Sequence, residues 1–215
     1  MLGVAVGVFG LSFGVLAVTA GLSPAKACVL SLLVFTGGSQ FAVVGVLASG
    51  GSIGPALSSA LLLAARNAAY GVTLAPTLRI ERGARRFIAA QLVIDESTAM
   101  AVAQADEVQA REAFWTTGLS VFVCWNIGTL FGALAGSAMG DPGAFGLDAA
   151  FPAGFVALVA PHLRHRRGRV AAIAGAIIAV ALTPLTPPGV PIVAAATAVV
   201  PSILFAPEPD AGVAR

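Results

Sequence analysis

Arg66 and Asn67 close a stretch, residues 27–65, that carries no charged side chain, and apolar residues continue beyond them. A guanidinium so placed needs a partner, either a carboxylate of the protein (Asp95, Glu96 or Asp148) or one on a bound molecule. Tyr70 follows at spacings of four and three, so guanidinium, amide and phenol share one helical face. Upstream, Phe35-Thr36-Gly37-Gly38-Ser39-Gln40-Phe41 sets two glycines ahead of Ser and Gln inside an apolar run. Such a sequence unwinds a helix for about one turn and frees backbone groups for a ligand. The freed groups around Gly37 and Gly38, with Ser39, Gln40 and Phe41, make a candidate substrate site. The competing reading is a local kink, with Ser39 and Gln40 bonded to neighbouring helices.

Asp95 and Glu96 are adjacent, and carboxylates in low-dielectric surroundings repel each other and are desolvated. Both effects favour protonation, which proton or charge coupling would use, although one of the pair facing the cytoplasm fits equally well. Asp148 opens Asp148-Ala-Ala-Phe151-Pro152, where it caps a helix start or lies in a pathway. Asn126 adds an amide beside Gly128. Enzymatic chemistry fits poorly: His162 and His165 stand beside an arginine cluster, leaving Ser39 without a base, and no glycine loop ends in Gly-Lys-Ser/Thr. No catalytic residue, metal site or cofactor is expected, and Cys28 and Cys124 read as packing residues.

The elements that must position these groups are membrane helices. Of 215 residues 58% are hydrophobic and only 10% charged, against about 25% in soluble proteins. With a mean hydropathy of +0.93, the chain cannot cover a water-soluble surface. The net charge of +2 hides two clusters, Arg79, Arg82, Arg85, Arg86 and Arg164, Arg166, Arg167, Arg169. Flanking apolar segments, they mark cytoplasmic loops, and nucleic-acid binding is the weaker reading.

The fold class expected is all-α, a polytopic integral membrane protein. Candidate crossings are 1–20, 27–48, 53–77, 113–139, 146–163, 169–186 and 189–206, each near the ~20 residues a bilayer needs. Clusters on one side require an even number of crossings between them, so 87–105, with Gln91, Asp95, Glu96 and Gln104, is expected to be re-entrant or buried. About seven crossings remain, with Lys26, Arg111 and the C-terminus inside, residue 1 and Asp141 outside. Residues 1–206 form one transmembrane domain, followed by a polar, disordered tail at 207–215. Phe13-Gly14-Val15-Leu16-Ala17 echoes in Phe131-Gly132-Ala133-Leu134-Ala135 on helices that this topology runs in opposite directions. That fits inverted repeats, 1–105 and 113–206, as in secondary transporters; chance within a small apolar alphabet fits as well. Glycines at 3, 7, 10, 14 and at 128, 132, 136, 140 read as tight packing faces. Pro184, Pro187, Pro188 and Pro191 break the last run into two helices.

Taken together, the chain resembles the AzlC-type (YgaZ-type) branched-chain amino acid permeases. The resemblance rests on Phe13-Gly14 before Gly21-Leu22-Ser23-Pro24, Gly38-Ser39-Gln40-Phe41, Arg66-Asn67 with Tyr70-Gly71, Asp95-Glu96, Asn126 with Gly128-Thr129 and Gly132, and Gly146-Leu147-Asp148 leading to Phe151-Pro152-Ala153. It implies export of branched-chain or other hydrophobic amino acids across the cytoplasmic (inner) membrane, together with a small AzlD-type membrane subunit. The alternative is a non-transporting assembly subunit whose buried polar residues bind a partner chain.

Overall fold

The computed structural model describes residues 1–79, 83–138, 156 and 159–205, and the regular elements among them are all helical. They are α1 (Leu2–Thr19), α2 (Pro24–Leu33), α3 (Gly38–Ala48), α4 (Ile53–Leu78), α5 (Ala84–Gln91), α6 (Asp95–Val102) and α7 (Glu107–Ala138). A 3-10 turn at Ala160–Arg164 leads to α8 (Arg166–Leu182), α9 (Val190–Ala195) and α10 (Val199–Phe205). Among the described helices α1 and α7 are long and apolar enough to cross a membrane. α4, at 26 residues, has the length and carries Arg66 at its middle. Asp148, Phe151, the tail 207–215 and most of the candidate crossing 146–163 lie outside the described residues.

The two glycine faces pack on each other. Gly3, Gly7, Gly10 and Gly14 of α1 lie against Ser120, Cys124, Trp125 and Thr129 of α7, and Gly128, Gly132 and Gly136 lie against Gly7, Leu11 and Val15. Without side chains between them the backbones approach closely, and their dispersion contacts replace the hydrophobic drive that is missing in lipid. Residue numbers rise together along this seam, so α1 and α7 are parallel. The Phe13-Gly14 and Phe131-Gly132 echo therefore joins helices of one direction, where opposite directions were expected.

Residues 24–48 form a hairpin, not the single crossing expected at 27–48. α2 runs antiparallel to α7: Ser31 Oγ donates to Asn126 Oδ1 (2.8 Å) and Phe35 packs edge-on against Phe122 (5.0 Å). Gly37 then takes φ 59° and ψ −83°, a conformation that favours glycine, and reverses the chain. α3 returns with Phe41 beside Phe13 and Trp125, and its far end meets the start of α4 through Val46 and Gly51. At 25 residues the segment has the length of one crossing, which is why its turning back is invisible in composition.

A second hairpin comes from the other end. α5 rises from Gly83 and turns at the buried Leu92-Val93-Ile94, where Leu92 packs on Gly118 of α7. α6 then runs back to the start of α7. Ser97 Oγ accepts the Ile94 N–H (3.1 Å) and donates to the Leu92 carbonyl (2.6 Å), so the turn is satisfied locally. The reversal lies within the segment 87–105 that the sequence sets apart. The tips meet halfway along the bundle: Gln91 Nε2 donates to the Leu32 (2.8 Å) and Leu33 (3.5 Å) carbonyls, which α2 leaves unpaired at its C-terminus.

Each hairpin feeds a long helix, and the units 24–78 and 84–138 run in opposite directions. At the base of the second unit Arg79 pairs with Glu107 (2.8 Å), Arg111 pairs with Glu107 (3.3 Å) and donates to the Thr77 carbonyl (2.7 Å), and Arg85 lies over the Trp115 ring (5.3 Å). Lys26, at the start of α2, stands at the opposite end from Arg79 and Arg111. The seven-crossing count had put them on one side, because it spent a crossing on 27–48.

The proline break is where the sequence placed it: α8 ends at Leu182 and α9 starts at Val190. Gly189, at φ 95°, lies against Pro55, and Ser59 Oγ donates to its carbonyl (3.5 Å). α8 has no buried residue, and Ile173, Ile177 and Val180 are exposed on it. Val4, Val8, Leu130 and Leu134 extend the apolar exterior, which water solvates poorly and lipid well.

Candidate functional site

Where the hairpin tips meet, a cavity of about 260 Å³ opens among α1, α3, α4, α6 and α7. Phe9, Phe35, Phe41, Val121, Ile94 and Trp125 form apolar walls, and Thr36, Gly37, Gly38, Arg66, Asp95 and Glu96 supply the polar part. The volume is close to the ~300 Å³ lower end of small-molecule sites.

Both second half-helices begin here. α3 starts at Gly38 and α6 at Asp95, so two helix N-termini, each with first-turn N–H groups that have no partner within the helix and a partial positive charge, face the cavity level. Gln40 Oε1 accepts the Gly37 N–H (3.2 Å), which fixes the start of α3. Asp95 and Glu96 occupy the first turn of α6, where negative charge is favourable.

Arg66 reaches in from α4. Its Nη2 pairs with Asp95 Oδ2 (2.7 Å) and donates to the Thr36 carbonyl (3.3 Å), so one guanidinium ties both hairpin tips to α4. Of the two acids among the described residues, Asp95 and Glu96, Asp95 is the partner; Asp148 lies outside the described residues. The pair is not sealed, since the Arg66 and Asp95 side chains remain 38% and 41% exposed. Asn67 Nδ2 donates to the Val93 carbonyl (3.0 Å), holding the second tip from the neighbouring position.

Several buried polar atoms around the cavity have no partner among the described residues: Thr36 Oγ1, Ser39 Oγ, Gln40 Nε2, Arg66 Nε and Trp125 Nε1. Ser39 and Gln40 are fully buried and Trp125 is 4% exposed. Each such group costs about 1–3 kcal/mol when left unmet, so each needs water or another polar group as its partner. The local-kink reading would have bonded Ser39 and Gln40 to neighbouring helices, yet Ser39 Oγ and the Gln40 amide nitrogen stay unmatched.

The sequence-derived residues thus divide. Gly37, Gly38, Phe41, Arg66, Asp95 and Glu96 line the cavity, with Ser39 and Gln40 immediately behind them. Tyr70 lies one turn further along α4, packed on the apolar core and near Asp95. Asn126 is turned away: it accepts from Ser31 and donates to the Phe122 carbonyl (2.8 Å), tying α2 to α7. Trp125 was missed, and its signal was position. Tryptophan favours membrane interfaces, whereas this one sits at the centre of a 32-residue helix, stacked on Phe13 (6.1 Å).

The AzlC protein family matches residues 2–139, the stretch that holds both hairpins, their long helices and the cavity. A membrane protein of Archaeoglobus fulgidus is 35% identical over 193 residues, covering 87% of this chain and 82% of its own length.

The chain belongs to the AzlC family.

The inner membrane protein YgaZ of Escherichia coli is 29% identical over 133 residues, 60% of this chain and 54% of YgaZ. No solved structure matches. Membership places the chain among membrane proteins, in agreement with its apolar exterior, and the AzlC match stops where α7 ends.

Proposed function

We propose that the chain is the substrate-carrying subunit of an exporter of branched-chain or other hydrophobic amino acids in the cytoplasmic membrane, acting with a small AzlD-type membrane subunit. The observation that carries this reading is the cluster of unmatched polar atoms and two helix N-termini in an otherwise apolar cavity. A zwitterion with an aliphatic side chain fits both halves of that chemistry. Its carboxylate is suited to the N–H groups that open α3 at Gly38 and to the Gln40, Trp125 and Arg66 donors. Its ammonium is suited to Asp95 or Glu96, and its side chain to Phe41, Phe35 and Val121. Asp95, Glu96 and Asp148 remain the candidates for charge coupling, and Phe151 for the apolar wall. The opposed units 24–78 and 84–138 supply the inverted pair that alternating access uses.

With both hairpins re-entrant and 146–163 kept as a crossing from its sequence alone, this reading has six crossings (α1, α4, α7, 146–163, α8 and α9–α10) and residue 1 inside. Lys26→Cys is then expected to react with an impermeant thiol reagent only from outside, and Arg86→Cys only from the cytoplasm. Reaction of both from one face would restore 27–48 as a crossing.

Cells fed a valine-containing dipeptide are expected to hold less internal valine when they express this chain with its small partner. At Gly38 an added Cβ would meet Arg66 at 3.5 Å and Leu63 at 3.6 Å, ordinary contacts, so Gly38→Ala is expected to keep export within about twofold. Gly38→Val pushes branches toward Arg66 and Gln40→Ala removes an unmatched donor. If both exported like the parent at equal expression, the site would lie elsewhere. Valine, leucine, isoleucine and methionine are expected to compete, because one methylene discriminates by only ~1–3 kcal/mol in an apolar pocket. Lysine and glutamate are expected not to compete, since a second charge would be desolvated without a partner.

A further inference from the structure

A second cavity, about 300 Å³, lies between α4, α6 and the start of α7, lined by Thr73, Leu74 and Thr77 on α4 and by Ala101, Val102 and Gln104 at the end of α6. It is on the same face of α4 as Arg66, since positions 66, 70, 73, 74 and 77 recur at helical spacing. α4 and α6 both run from the meeting of the hairpin tips toward the end that carries Arg79, Arg86 and Arg111. Arg66 pairs with Asp95 at the upper level, and Thr73 and Leu74 share the lower cavity with Ala101 and Val102. Between the two cavities that register leaves Tyr70 on α4 and Thr98 on α6.

Tyr70 is packed on the apolar core, and Thr98 is 8% exposed with its hydroxyl unmatched among the described residues. An apolar bundle has no need of a buried, unmatched hydroxyl at this level; a polar molecule or water passing it does. We propose that the lower cavity is the cytoplasmic vestibule of the transport path, and that the Tyr70 ring, opposite Thr98, is the barrier between it and the central cavity. This rests on the exporter reading for its direction. In it, a zwitterion waits in the vestibule and enters the central cavity when the ring swings aside.

The test is thiol accessibility in inside-out vesicles, with Cys28→Ala and Cys124→Ala as background and a small impermeant methanethiosulfonate as probe. Thr77→Cys samples the vestibule and Gly38→Cys the central cavity, where the added Cβ fits. Thr77→Cys is expected to react readily, and Gly38→Cys about tenfold or more slower. Tyr70→Ala is expected to bring Gly38→Cys within a few-fold of Thr77→Cys while leaving Thr77→Cys unchanged. Tyr70→Phe should keep the slow rate, because the ring and not the hydroxyl is the barrier. Should Tyr70→Ala not fold, Tyr70→Leu is expected to give an intermediate rate. A silent Thr77→Cys, a Gly38→Cys that is already fast beside Tyr70, or one whose rate ignores the side chain at 70 would each overturn the proposal. Labelling needs no transported substrate, so this result is independent of whether valine is exported.

Discussion

Arg66→Ala is expected to lower valine export by more than about tenfold and to lower the melting temperature of the purified protein, while Arg66→Gln combined with Asp95→Asn recovers the stability alone. The single substitution leaves the Asp95 carboxylate between two hairpin tips without its cation, and frees the Thr36 carbonyl. Truncating one partner of a fully buried pair costs ~3–5 kcal/mol. Here both side chains are more than a third exposed, and about 1.5–3 kcal/mol, the range of hydrogen bonds to charged groups, is the better expectation. Glutamine is two bonds shorter than arginine and does not span the same gap, but two neutral amides leave no uncompensated charge between the tips, so the double variant should fold. They cannot present a guanidinium or carboxylate to a zwitterion. Parent-like export by the double variant would show that the pair only fastens the hairpins, and would favour the assembly-subunit reading. Arg66→Lys should fold and export weakly, because it deletes Nε, a buried donor with no partner among the described residues.

Much of this centre was legible in the sequence. An arginine inside an apolar helix implies a carboxylate, and Asp95 was one of three offered; two glycines ahead of Ser and Gln imply broken helix, and the break is at Gly37. Segment 87–105 was set apart because Gln91, Asp95 and Glu96 suit the place where tips meet better than they suit lipid. The direction of the chain through a break was not legible. A kinked crossing and a re-entrant hairpin share length and composition at 24–48, and differ in the φ of one residue that glycine adopts either way. That ambiguity is why the sequence puts Lys26 at the same end as Arg79 and Arg111, and gives α1 and α7 opposite directions. Asn126 and Trp125 exchanged roles for a similar reason: adjacent positions on a helix point about 100° apart, and polarity alone does not say which faces the cavity.

The glycine seam yields the other large effect, and its sign changes with position. A methyl at Gly132 would collide with the Leu11 carbonyl, and one at Gly128 with that of Gly7. Overpacking costs ~1–3 kcal/mol where a side chain can move aside, and more is expected here because the obstacle is backbone. To admit one methyl the helices must separate along the seam, forfeiting contacts at every neighbouring glycine. Gly132→Ala is therefore expected to leave little folded protein. Gly136→Ala, whose Cβ would lie 3.1 Å from the Val15 Cα, should be milder. Gly71 has nothing within 4 Å, so Gly71→Ala should raise stability by up to ~1 kcal/mol through helix propensity alone. Melting temperatures of the three purified variants would settle the order. Equal values for Gly132→Ala and Gly71→Ala would mean that α1 and α7 are not in contact through this face. The same seam accounts for the echo of Phe13-Gly14 in Phe131-Gly132. Two parallel helices that interlock through glycines each need a small residue wherever the other's backbone crosses, so their sequences come to match without being inverted copies.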